Sequence, residues 1–74
     1  MSKHYSYPSP IIAERIQKVF DENKLTDAYV AKQIGVERKT ILGYRNATSN
    51  PSVKFIRWIC ANYKKTAGWL LDLE

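Results

Sequence analysis

The chain of 74 residues has one cysteine, Cys60, and one histidine, His4. A lone thiol cannot form an intrachain disulfide or half of a two-cysteine metal site, which fits a reducing, cytoplasmic setting. With one histidine and one cysteine far apart in sequence, neither has a partner to make an oriented base or an activated nucleophile. Only three glycines occur, at 35, 43 and 68, too far apart for a phosphate-cradling loop. No apolar run approaches the roughly 20 residues of a membrane span. The first residues, MSKHYSYPSP, lack the apolar stretch of a secretory signal. These shortages argue against an enzyme, a metal or cofactor protein, a small-molecule receptor and a membrane partner. A chain this short reads as one domain with a limited core.

A further shortage is local. Residues 38 to 71 contain no acid, yet they hold Arg38, Lys39, Arg45, Lys54, Arg57, Lys64 and Lys65. Residues 1 to 37 balance five bases against five acids, and the whole chain carries +5. A stretch of one sign points to a polyanion, most often nucleic acid. Small proteins also carry surface bases simply for solubility.

The apolar pattern is helical throughout. Residues 1 to 8 read as an irregular arm, and 9 to 74 as the folded domain. Ser9 and Pro10 form a helix start, a capping hydroxyl followed by a proline at the first helical position. Ile12, Ile16, Val19 and Phe20 then make one stripe, which ends near residue 23. Thr26 caps a second helix, with Asp27 favourable to its dipole and Val30, Ala31 and Ile34 on its inner face. Gly35 can take the left-handed conformation that closes it. A third helix, about 37 to 46, turns Ile41 and Tyr44 inward. After the loop NATSNPS, Asn50 or Ser52 caps a fourth, whose inner face is expected at Val53, Ile56, Ile59, Cys60 and Tyr63. A break near KKT precedes a short fifth helix, AGWLLDL. The fold class is therefore all-α, five short helices around one core. That core is expected from Ile16, Phe20, Val30, Ala31, Ile34, Ile41, Tyr44, Ile56, Ile59 and Leu70.

The segment LTDAYVAKQIGVERKTI is helix, glycine turn, helix. Ala31 permits close approach, Gly35 turns the chain, Val36 plugs the corner, and Ile41 with Tyr44 pins the second helix. Its other face is then free to enter a major groove. This segment, together with NPSVKFIRWICANYKKTAGWLL, resembles the phage repressor and Cro-like helix-turn-helix family. The resemblance spans about residues 10 to 73 and rests on Ala31, Gly35, Val36, Ile41, Pro51 and Leu70. It implies a lambda-repressor-like fold and a transcriptional regulator of double-stranded DNA in a phage-type switch.

Carried over by residue, the resemblance puts base reading on Arg38 and Lys39, with Thr40 beside them, and phosphate contact on Thr26. A further reading position falls on Gly43, which has no side chain to read with. Its absence of bulk either permits close approach of a backbone or another helix, or is tolerated on a surface that reads little. From the residues themselves, Arg45, Lys54 and Arg57 could track a phosphate backbone. Lys64 and Lys65 suit a helix C-terminus. Glu14, Asp21 and Glu22 look like solvated surface, Trp69 like a closing core residue, and Cys60 like a small apolar one.

Several residues fit DNA poorly. Asp27 and Glu37 carry the wrong sign, Leu42 is apolar on an outward face, and Phe55 with Trp58 could be an exposed aromatic pair. A second expectation follows from them. The scaffold could instead bind and mask a repressor protein, or a second copy of itself, through Asp27, Glu37, Leu42, Gly43, Phe55 and Trp58.

Overall fold

A computed structural model describes residues 9–73, so the arm expected over residues 1 to 8 lies outside the described residues. Five helices follow in order: α1 (Pro10–Asn23), α2 (Asp27–Ile34), α3 (Arg38–Arg45), α4 (Val53–Tyr63) and α5 (Ala67–Leu70). The described residues form no strand.

Hydroxyl caps set four of the five starts. Ser9, Thr26, Ser52 and Thr66 each accept the amide of the residue three positions on, at 3.4, 3.1, 3.1 and 3.0 Å. Each satisfies one of the amides that a helix leaves open at its first turn. Between the two cap candidates for α4, Ser52 takes the role. α3 is the exception, because Glu37 precedes it without a side-chain cap. Gly35 ends α2 at φ 85°, and the amides of Gly35 and Val36 both donate to the Ala31 carbonyl, at 2.8 and 3.0 Å. α1 and α4 close with left-handed lysines, Lys24 and Lys64, where glycine is the commoner choice.

The core gathers α1's stripe of Ile12, Ile16, Val19 and Phe20 with Val30, Ala31 and Ile34 of α2 and Ile41 and Tyr44 of α3. Ile59 and Leu70 complete it, as expected, while Ile56 is only half-buried.

The expected inner face of α4 needs correcting. Val53 is 71% exposed, Ile56, Cys60 and Tyr63 are half-buried, and Phe55 and Ile59 are fully buried. The helix is rotated so that Phe55, rather than Val53, points inward. Phe55 packs its ring on Tyr44 at a centroid distance of 4.8 Å, tilted by 57°. Burying an aromatic ring removes more apolar area than burying Val53 would, and the tilted pair adds a little more. Phe55 therefore cannot be half of an exposed aromatic anchor.

α5 returns to α1. Arg15 donates to the Trp69 carbonyl, pairs with Asp72 at 3.3 Å and lies 5.4 Å from the centre of the Trp69 ring. Lys65 covers the same ring at 4.9 Å and pairs with Glu22 at 3.5 Å. Trp69 is thus a closing residue with two cations near its ring, and Glu22 is exposed, as expected, while pairing with one of them.

Candidate nucleic-acid interface

With Ile41 and Tyr44 turned into the core, the opposite side of α3 faces out. Arg38, Lys39 and Leu42 are exposed there, Thr40 is half-buried, and Leu42 is 47% exposed. Arg38, Lys39 and Leu42 line a shallow depression with Asp27 and Glu37. The start of α2 and the outer face of α3 meet at this depression.

Asp27 is not a free acid. Its Oδ1 accepts from Arg45 Nη1 at 2.6 Å, and the two side chains are only 18% and 25% exposed. Arg45 Nε also donates to Gln17 Oε1 at 3.0 Å, and its guanidinium lies 5.0 Å from the centre of the Phe20 ring. This corrects two expectations together. Arg45 is committed to a bridge joining α1, α2 and α3, so it is not available to follow a phosphate backbone. Asp27 is neutralised by that bridge, so it is not a negative flank for a protein partner.

Glu37 and Lys39 approach to 3.7 Å but remain 76% and 83% exposed. A pair this wet is worth about 0–1 kcal/mol and holds neither side chain in place. Arg38 makes no ion pair among the described residues. Thr26 is exposed, and its hydroxyl accepts the Tyr29 amide at 3.1 Å, leaving its own proton available to donate. Lys54 and Arg57 are exposed on α4. Lys54 Nζ lies 3.9 Å from the point a Cβ on Gly35 would occupy, so its ammonium sits over the turn that leads into α3.

Gly43 is approached closely by a backbone, one of its expected readings, and only its place on a partner surface needs correcting. It is buried, and its space is filled from within the chain. An added Cβ would meet Ser49 Oγ at 2.6 Å, Ser49 Cβ at 3.1 Å and Thr48 Oγ1 at 3.3 Å. The amides of Thr48 and Ser49 both donate to the Gly43 carbonyl, at 3.0 and 3.2 Å. The close approach is real, but the approaching segment is the loop after α3. Gly43 offers nothing to a partner helix and is not a residue tolerated for lack of a role.

Trp58 is half-buried, 6.4 Å from the Tyr29 ring and 5.5 Å from the Tyr63 ring. Sequence reading paired it with Phe55, whereas the fold pairs it with these tyrosines. Burial raises the Cys60 thiol above its usual range, which leaves little thiolate for chemistry. Among the described residues, no group of three or more His, Cys, Asp or Glu could hold a metal ion. No described helix is long and apolar enough to cross a membrane.

Comparison with protein-family models, curated proteins and solved structures returns no match for this chain.

Proposed function

We propose that this chain is a helix-turn-helix transcriptional regulator of repressor/Cro type, which enters the major groove of double-stranded DNA with α3. One observation carries the reading. Arg38 and Lys39 stand exposed at the front of α3, while the acid facing them from α2 is already bound by Arg45. The balance of the face is therefore positive, with Glu37 as its remaining acid.

In this reading Arg38 offers two parallel N–H groups to guanine O6 and N7, and Lys39 a single mobile charge to the same edge or a phosphate. Thr26 donates to a phosphate on one side of α3. Lys54, over the turn, and Arg57, exposed on α4, meet the backbone as well. The Arg45–Asp27 bridge works behind them. It ties the end of α3 to the start of α2.

Fluorescence anisotropy with a labelled duplex tests the reading across about 50 to 200 mM salt. If Lys54, Arg57 and one of the α3 cations each neutralise a phosphate, log K falls against log salt with a slope of about −3. Arg38→Ala should cost about 1–3 kcal/mol and relax preference at one position. Lys54→Ala should weaken all sequences alike and reduce the slope by about one.

The masking of a repressor protein keeps the exposed Leu42 and Glu37 and the half-buried Trp58 in its favour. It loses Phe55 to the core, Gly43 to the adjoining loop and Asp27 to Arg45. A repressor protein captured by this chain, with no duplex bound at any salt, would favour it.

A further inference from the structure

Leu42 is the residue that the DNA reading leaves unexplained. It stands 47% exposed on the outward face of α3, four residues after Arg38, and lines the same depression. Four residues are about one helical turn, roughly 6 Å along the axis. Base pairs stack about 3.4 Å apart, so a contact from Leu42 falls within about two base pairs of a contact from Arg38. Its neighbours contribute nothing that competes at that depth. Gly43 is covered by Thr48 and Ser49, and Arg45 is held by Asp27 and Gln17. The second turn of the outward face therefore presents one apolar side chain.

From these facts, and resting on the DNA reading above, we infer that Leu42 is a specificity residue that selects thymine through its 5-methyl group, beside the base read by Arg38. In the major groove the other bases present chiefly donors and acceptors, and the thymine methyl is the one protruding apolar group. A leucine pressed against a purine N7 or a cytosine amino group would strip water from a polar atom and return no hydrogen bond. Against a thymine methyl it buries apolar surface on both sides. A protein partner fits Leu42 less well. It is the single apolar side chain lining a depression whose other walls are Arg38, Lys39, Glu37 and Asp27, whereas a protein anchor is usually part of a larger apolar patch.

The test begins with duplexes selected by the wild-type protein from a pool with a randomised centre. Each thymine of the selected site is then replaced singly by deoxyuridine, which removes one methyl and changes no hydrogen bond. Replacement at one position, within two base pairs of the position relaxed by Arg38→Ala, should weaken binding about fourfold, the equivalent of one buried methyl at ~0.8 kcal/mol. In Leu42→Ala the same replacement should have no effect. Circular dichroism should show the variant folded, because Leu42 is not part of the core. If duplex is bound with normal salt dependence but every thymine tolerates the loss of its methyl, or Leu42→Ala remains as sensitive as wild type, the Leu42 assignment is overturned and DNA reading stands. If no duplex is bound at all, both fail, and Leu42→Glu against a captured repressor then tests the protein partner.

Discussion

Asp27→Asn separates a structural acid from a functional one. The carboxylate holds Arg45 at 2.6 Å, and both side chains are mostly but not fully buried. A hydrogen bond to a charged group is worth about 1.5–3 kcal/mol when well shielded, and an exposed ion pair about 0–1 kcal/mol. This pair lies between those limits. Asparagine keeps an acceptor oxygen near Arg45, and Arg45 keeps Gln17 and the Phe20 ring, so only the charged part is lost. The first-turn position adds about 0.3–1 kcal/mol through the helix dipole. The sum is about 1–2 kcal/mol. In a domain of this size each kcal/mol lowers Tm by roughly 4–8 °C, so a fall of roughly 5–15 °C is expected. Thermal unfolding followed at 222 nm measures it. Arg45→Met keeps an unbranched apolar side chain in place of the guanidinium over Phe20, and the double variant completes a cycle whose coupling should be about 1 kcal/mol. DNA affinity should hold or rise, because a negative charge leaves the α3 depression and Arg45 gains freedom. Additive single effects would remove the bridge from the account. A loss of affinity in the still-folded Asp27→Asn protein would mean that the carboxylate itself faces a base.

Gly43→Ala should fail to give the roughly 1 kcal/mol gain that glycine-to-alanine gives inside a helix, since Ser49 Cβ stands 3.1 Å from the new methyl and the loop must shift; Ser49→Gly in the same chain should recover part of it, as chemical denaturation would report. Phe55→Ala should cost about 3–5 kcal/mol, enough to unfold much of a domain this small, whereas an exposed Phe55 would cost little. Burial, joined at Tyr63 by the nearby Tyr29, raises both Cys60 and Tyr63 above their ordinary values. Their neutral forms are thus favoured in the fold. That contribution is complete below the ordinary thiol value of 9.0 and is lost as pH rises through the raised values, so stability should fall above about pH 9 and fall less in Cys60→Ala with Tyr63→Phe.

Helix positions were legible in the sequence because their signals are local. Ser9–Pro10, Thr26, Gly35 and Ser52 each act within one turn, and the α1 stripe depends on spacing alone. The rotation of α4 was not legible. Val53-Ile56-Ile59-Cys60-Tyr63 and Phe55-Ile59 are both acceptable helical faces, and Tyr44, eleven residues before Phe55, decides between them. The size of Phe55 was the available hint. The site divides in the same way. The outward placement of Arg38, Lys39 and Leu42 follows from the inward placement of Ile41 and Tyr44. The engagement of Arg45 by Asp27 and Gln17 spans 18 and 28 residues and leaves no periodic trace. The clamp of Arg15 on Trp69, 54 residues apart, is of the same kind. Gly43 stands out in the sequence, but its partner is the loop just beyond α3, where neither Ser49 nor Thr48 stands out by type.

The central claim is that the outward face of α3 binds duplex DNA through Arg38 and Lys39. Its most direct test is a salt-series anisotropy titration of wild type, Arg38→Ala and Lys39→Ala on one selected duplex and one scrambled duplex. The account predicts affinity that falls steeply with salt. Each α3 variant should be about tenfold weaker on the selected duplex, about 1.4 kcal/mol, and less affected on the scrambled one. Equal binding of all three proteins to both duplexes, or binding by none of them at low salt, would contradict it.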